Sequence, residues 1–417
     1  MNKVVGLLLL NCILWSSAGA QLVGIKAGHL IDPESGRISD NQIILVEGER
    51  ILAVVEDASG YAVDDWIDLS EAWVSPGLMD CHVHLTLNIS YQQRDILQIY
   101  AAESDAYRVL RGVQYAREFL EGGFTTVKEI GNDGNYVTAD LIRAIDQGWV
   151  NGPNIIYAGK IIAPYGGQLP GVAHQSGHAW HREYIDADTH EEIKKAIRQN
   201  VYYGANTIKM AADIFPYVYA EEDIAFAVRE AATYGLRVSV HVVGGAAADN
   251  VIRGGAASIE HGFFLNQEQL QLMKEKGTFL VGTDFSYENW LSYGLGLEKT
   301  QELFATTTNR LKQAYQTGVR MAFGSDVVYN IPGKNRLQSS LEVLHTWKAA
   351  GIPAMYVLKT MTSEAAALMG IEKERGRIAA GWFADIVAFR KDPTLDILDI
   401  SSVQFVMKNG RVVRKDP

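Results

Sequence analysis

Between residues 76 and 374 the chain alternates short apolar runs with stretches whose apolar residues recur at helical spacing. The runs are VSPGLMDCHVHL, FTTVKEIG, NIIYAGKII, NTIKMAA, RVSVHVV, ASIEHG, TFLVGT and RMAFGSD, eight in all, and stretches such as AYRVLRGVQYAREFLEGG and HEEIKKAIRQNVYYG lie between them. Parallel strands cannot be joined by a tight turn and take a crossover helix instead, so this alternation predicts a parallel sheet. An open doubly wound sheet and a closed (β/α)8 TIM barrel both satisfy it, and the polar residues decide. His82, His84, Lys209, His241, His261 and Asp326 fall at the C-terminal ends of five different runs. An open sheet gathers its site at one switch point, whereas a barrel collects side chains from many strands at one mouth. The α/β fold expected for residues 76–374 is therefore a (β/α)8 barrel.

The flanks differ in texture. Residues 21–75 and 375–417 read as short alternating strands, among them LVGIKAGHLID, NQIILVEGERILAVVE and VQFVMKNGRVVR. Asn409-Gly410 is the dipeptide that a two-residue hairpin turn demands. Residues 1–20 are different again. Lys3, an apolar middle from Val4 to Trp15 and small residues before Gln21 make a secretory signal peptide. Its apolar stretch is shorter than the roughly 20 residues that span a bilayer. An exported protein, periplasmic or secreted, is expected, with no membrane association once the signal is removed. Cys12 leaves with the signal, so Cys81 has no intrachain partner and core packing must hold the fold. Lys and Arg number 38 against 49 Asp and Glu, a formal charge of −11. That balance argues against nucleic acid or anionic membrane as partner, since both select cationic surfaces. A small-molecule substrate fits, and a homo-oligomer stays open.

Spacing of two puts His82 and His84 on one face of a strand, aimed at the barrel axis. Taken alone, the pair is either a divalent-metal site or two hydrogen-bonded core histidines. His241, His261 and Asp326 at the same mouth exceed what a single catalytic zinc uses, which is three protein ligands and an open position. Two ions become the reading. Lys209 lies in a strand that faces inward, where an ammonium is costly unless paired. It either meets a carboxylate or loses its charge, and a neutral amine can add carbon dioxide to become an anionic carbamate.

These residues, with SPGLMDCHVHL, GFTTVKEIGN, GANTIKM, VSVHV, SIEHG, AFGSD and TSEAAALMGIEKERGRIAAGWFADIVAF, resemble the amidohydrolase superfamily. The closer resemblance is to its binuclear branch of imidazolonepropionase-like, exported, dipeptidase-type enzymes, akin to the M38 peptidases. It implies that His82, His84 and Asp326 hold one divalent ion, zinc in the first instance, and His241 and His261 a second, with carboxylated Lys209 bridging. It also implies that the two β-rich flanks join in one discontinuous β-sandwich domain. The chemistry implied is attack by a metal-bridging hydroxide on an amide or peptide bond of a dipeptide or N-acyl amino acid. Asp326 is then both ligand and proton carrier.

The chain departs from those relatives at two places. Gln168, in YGGQLPG, stands where they commonly carry a histidine that assists the carbonyl oxygen, and Val243 stands where they often carry a tyrosine. Gln can donate a hydrogen bond but cannot titrate. The loop GVAHQSGHAWHREY offers His174, His178 and His181 either as solvated residues or as part of a substrate wall. Lys334 and Arg336 are candidates for a substrate carboxylate or for a solvated charge pair. Tyr165, Tyr217, Tyr219, Tyr287 and Tyr329 are candidates for an aromatic pocket or for packing. A mononuclear deaminase or a cyclic-amide or lactone hydrolase of the same superfamily is the alternative chemistry. HVVGGAAAD weighs against a deaminase, because its first acid after the histidine is Asp249. A metal-binding protein without turnover is the alternative outside enzymes.

Overall fold

The computed structural model describes residues 21–89, 96–169, 171–213 and 217–417, so the expected signal peptide at 1–20 lies outside the described residues. Strands β1 (Leu22–Asp32), β2 (Arg37–Glu47), β3 (Arg50–Val55) and β4 (Asp65–Pro76) open the chain. Then come β5 (Leu78–Val83), β6 (Phe124–Glu129), β7 (Asn154–Tyr157), β8 (Ile161–Ala163), β9 (Tyr184–Asp186) and β10 (Ile208–Ala211). The series ends with β11 (Val238–Gly244), β12 (Ser258–Phe264), β13 (Phe279–Val281), β14 (Ile386–Phe389), β15 (Val403–Lys408) and β16 (Arg411–Lys415).

The N- and C-terminal strands form one seven-stranded sheet in the order β16-β15-β14-β4-β1-β2-β3. Alternation along β1 and β4 sends Ile25, Ala27, Ile67, Leu69 and Val74 inward, where they meet Ile386, Ala388, Phe405 and Met407 from the other end of the chain. Ile51 of edge strand β3 exchanges backbone hydrogen bonds with Gly381 and Trp382, so the sheet folds over this core as a small β-sandwich. The Asn409-Gly410 turn joins β15 to β16, with φ of +49° and +71°. Positive φ at both turn residues is the mirror-image turn that matches strand twist. A Cβ on Gly410 would lie 1.9 Å from the Gly48 carbonyl oxygen, so only glycine fits.

The middle of the chain closes as a parallel barrel. β5, β6 and β7 pair side by side, as do β10, β11, β12 and β13. The third barrel strand is split: β7 pairs with β6, and β8 just after it pairs with β10. On the other side, Leu280 bonds to Arg320 and Ala322, Cys81 donates to the Phe323 carbonyl, and Asp326 donates to that of His82. Residues 320–326 therefore supply the eighth strand and bring both ends of the barrel together.

The barrel strands are buried on both faces, as β5, β6 and β10 show, which is why they read as continuous apolar runs. Helices begin where the sequence marks them. Ser104 accepts from the Tyr107 amide to cap Asp105–Glu121, and Thr189 and Glu192 cap His190–Tyr202 reciprocally. β9, which adds itself to β8 beside the barrel mouth, is a strand that the alternation of apolar runs does not announce. Among the described residues no helix is long and apolar enough to cross a membrane.

Candidate active site

Seven residues of β5 and the turn after it deliver the two histidines. Alternation points Asp80 and His82 into the barrel, and the Asp80 carboxylate accepts from the amides of His82 and Ser325, tying the first strand to the eighth. His82 places Nδ1 2.7 Å from Glu260 Oε2, and His84 places Nδ1 2.6 Å from the Gly131 carbonyl. A carbonyl can only accept, so His84 carries a proton on Nδ1 and turns Nε2 toward the cluster; the carboxylate does the same for His82. Both Nε2 atoms then face Asp326 Oδ1, at 3.3 and 3.2 Å. One ligand atom from each of His82, His84 and Asp326 lies within 4.8 Å of the others.

His261 and His241 stand beside this group, with ring centroids 4.4 Å apart, and His261 lies 5.1 Å from His82. His261 Nδ1 is 2.9 Å from Thr283 Oγ1 and 3.6 Å from Asp326 Oδ2. His241 Nε2 meets Gln168 Nε2 at 3.1 Å and Asp213 Oδ1 at 3.4 Å. Lys209 is 2% exposed, and its Nζ has no hydrogen-bond partner among the described residues. The backbone is strained where the side chains must turn inward: φ is +74° at His261, +54° at Asp326 and +45° at Thr283.

Electrostatics suit a cation. Burial opposes charge on His84, yet the carboxylates of Asp326 and Glu129 outweigh it and lift the imidazole to about 10. Burial likewise opposes charge on Asp326, yet His82, His84 and His261 hold its carboxyl well below the ordinary range. A field that keeps a proton between these groups favours a divalent ion there still more. Burial, then the Lys209 charge, push His241 down to about 3, and burial with His241 pushes His261 well below its usual value. Both are therefore neutral imidazoles with lone pairs to give. Burial drops Lys209 to about 8. The donor set thus fits divalent metal, with nitrogen and carboxylate ligands of the kind zinc takes.

The candidate ligand groups form the floor of a cavity of about 350 Å³. Leu87, Ile89, Ile96, Ile161, Leu169 and Val328 make its apolar wall, while Asn132, Gln168 and Tyr184 add neutral polar groups. Of the sequence candidates, His82, His84, Lys209, His241, His261, Asp326 and Gln168 all line it. His174 and His178 do not. They stand exposed on the loop before β9, where His178 stacks on His181 at 4.6 Å and packs against Trp180 and Tyr165.

Lys334 and Arg336 are also occupied elsewhere. Lys334 Nζ is 2.7 Å from Glu288 and 2.8 Å from Glu342. Arg336 is fully buried, donating to the carbonyls of Val327 and Leu87 and to Asn88 and Asn330 with its guanidinium over Tyr115. None of the five candidate tyrosines lines the cavity. Tyr219 and Tyr329 donate to backbone carbonyls, Tyr165 and Tyr217 are exposed, Tyr287 packs on Phe304, and among the described residues the tyrosine that lines the cavity is Tyr184.

Residue-by-residue reading missed the partners that aim the ligands. Glu260 accepts from His82, from Ser258 Oγ at 2.6 Å, and lies 3.5 Å from Lys128 Nζ. Glu129 accepts from the Leu85 amide, and Asp213 from that of Val243. Glu260 and Glu129 are acids inside otherwise apolar runs, and that was the available signal.

The model of the amidohydrolase family matches residues 73–413. The chain belongs to that family. With the His82, His84 and Asp326 cluster, membership makes this amidohydrolase a metal-dependent hydrolase. It is 29% identical to ochratoxinase of Aspergillus niger over 445 positions, covering 96% of this chain and 88% of that one. It is 22% identical to imidazolonepropionase of Acinetobacter baumannii over 388 positions, with 87% and 91% covered. Among solved structures it resembles a Xaa-Pro dipeptidase with bound methionine in the active site, at a TM-score of 0.84 and 28% identity, covering 94% of this chain and all of that one. A prolidase complexed with N-methylphosphonate-L-proline superposes at 0.82 with 25% identity over 95% of this chain.

Proposed function

We propose that this amidohydrolase is a binuclear enzyme of the dipeptidase-like branch that cleaves the amide or peptide bond of a dipeptide or N-acyl amino acid. The observation that carries the binuclear part is Lys209. A side chain whose Nζ has no hydrogen-bond partner among the described residues, and which is 98% removed from solvent and depressed by burial toward the neutral amine, is suited to carboxylation. As a carbamate it would become an anion with two oxygens, between His82, His84 and Asp326 on one side and His241 and His261 on the other. Two divalent ions, zinc in the first instance, would supply an activated water and a Lewis acid for the scissile carbonyl.

The protein's own groups do the rest. Asp326 Oδ2 would take the proton released by the nucleophile and return it to the leaving amine. Gln168 would donate to the carbonyl oxygen without titrating. The aliphatic wall would exclude water and receive an apolar side chain. The names of the dipeptidase and prolidase relatives support a peptide bond as the target. Export rests on the signal expected at residues 1–20, and the mature chain would then begin at Gln21.

The test joins stoichiometry to turnover. Protein reconstituted with zinc and bicarbonate is expected to hold two ions per chain by elemental analysis and to release amine from a subset of dipeptides and N-acyl amino acids. Lys209→Ala should hold one ion and lose most activity. Two ions and full turnover in that variant would sink the bridge, and one ion in the wild type would favour the mononuclear alternative.

A further inference from the structure

Of the two departures from the family pattern, Gln168 for a histidine and Val243 for a tyrosine, it is Gln168 that lines the cavity. Tyr184 begins β9, the strand that pairs with β8 through Ile161, and its ring is 3% exposed. Its hydroxyl lies 3.2 Å from Gln168 Oε1 and 3.4 Å from Asn132 Nδ2. Gln168 Nε2 points the other way, 3.1 Å from His241 Nε2.

Hydrogen-bond bookkeeping fixes the direction of this chain. The Asn132 amide nitrogen can only donate, so it takes the acceptor side of the phenol. The phenol proton then needs an acceptor, which the Gln168 oxygen provides. The carboxamide is held by its oxygen, and its nitrogen is turned toward His241. Burial lifts the Tyr184 phenol well above the ordinary tyrosine range, so the donor persists at every working pH.

The surroundings keep the pair in register. Gly167, at φ +57°, lies flat on the tyrosine ring, and a Cβ there would come within 2.6 Å of Tyr184 Cγ. Glu183, next to Tyr184, accepts from the Gly134 amide at 2.9 Å and is ion-paired with the buried Arg108, which also donates to the Asn132 carbonyl. Asn132 itself is held at φ +58°. Strain and a buried ion pair thus both fix the groups behind Gln168.

We propose that Tyr184 is a positioning residue for hydrolysis: its hydroxyl holds the Gln168 carboxamide by the oxygen, so that an amide N–H is the donor presented to the scissile carbonyl oxygen. This rests on the amide-hydrolase reading given above. Tyr184, delivered from β9, acts through Gln168 and not on the substrate itself.

The test compares wild type, Tyr184→Phe, Gln168→Met and the double variant, all zinc-loaded, on the amide that the wild type turns over fastest. Tyr184→Phe is expected to lower kcat about tenfold or more, since losing one oxyanion donor outright costs about a hundredfold or more. KM should stay within about twofold on that same account, because the donor acts on charge that develops after binding. Zinc content and the limbs of the pH–rate profile should not move, and the double variant should be no slower than Gln168→Met. A Tyr184→Phe enzyme with wild-type kcat, or effects that multiply in the double variant, overturns the proposal. Gln168 is half-buried on a loop, so Gln168→Met covers the case in which Tyr184→Phe does not fold, and an unchanged kcat there also overturns it. Silence of the wild type toward every amide withdraws the amide reading alone. Crystal structures of wild type and Tyr184→Phe then decide the positioning role: the carboxamide must turn in the variant, and an unchanged orientation overturns it.

Discussion

Replacing Glu260 by Gln changes one atom in the wall behind the metal ligands, and two separable losses should follow. Glu260 is 0% exposed, and its partner Lys128 is 2% exposed with Nζ 3.5 Å from Glu260 Oε1. Burial would raise the Glu260 carboxyl, yet the charges of Lys128 and Lys209 and the His82 hydrogen bond hold it well below the ordinary range. At that separation an effective dielectric of about 20 gives roughly 5 kcal/mol of attraction, in line with the 3–5 kcal/mol that breaking a buried pair costs. Glu260→Gln leaves the Lys128 ammonium with Ser239 Oγ, at 2.5 Å, as its one hydrogen-bond partner among the described residues. The metal-free variant should therefore lose roughly 3–5 kcal/mol in urea unfolding followed by tryptophan fluorescence. Removing both charges, as Lys128→Met with Glu260→Gln, should recover most of that loss. Zinc affinity behaves differently. A neutral carboxamide can still accept the His82 N–H but no longer raises the basicity of Nε2, so competition titration should show zinc weakened by about 10- to 100-fold in both variants. Restored affinity in the double variant would mean that Glu260 matters only for folding, and a fully stable single variant would refute the ion-pair account.

Two further outcomes follow from residues away from the ligands. Arg336→Met should destabilise the protein by about 3 kcal/mol or more, because buried carbonyls of Val327 and Leu87 lose their donor. Its KM toward carboxylate-bearing substrates should not rise selectively over neutral ones, and a selective rise would return Arg336 to the binding site. Lys408 is pushed by burial from 10.5 down to about 8. The unfolded chain therefore binds more protons than the folded one between these values, so this group's penalty is full below pH 8 and fades as pH climbs to 10.5. Stability of the wild type relative to Lys408→Met should rise through that window in denaturation midpoints taken at each pH, and a flat difference would show that Lys408 is no more buried than an ordinary lysine.

What the sequence reveals of this molecule, and what it hides, follows from how far each interaction reaches along the chain. The eight runs are legible because a barrel strand is buried on both faces and must be apolar throughout, a purely local requirement. The candidate metal-binding residues are legible because a histidine or lysine breaking the end of such a run is costly unless it has a use. The partners are not, because geometry at one residue sets them. In SIEHG, strict alternation would send Glu260 and His261 to opposite faces, so a reader who takes His261 as inward must discard Glu260. The structure keeps both, since the backbone turns to φ +74° at His261 after the strand has already aimed Glu260 at His82. Long-range satisfaction hides the rest. Lys334 and Arg336 read as candidates for a substrate carboxylate or a solvated charge pair in a loop after Asp326, yet their partners include Glu288, Leu87 and Asn88, far away in sequence. Tyr184 sits in a strand of three residues that carries no apolar run at all. Its value comes only from lying beside Gln168 in space, so the place where this chain departs from its relatives is also the place where the sequence says least about how the departure is made good.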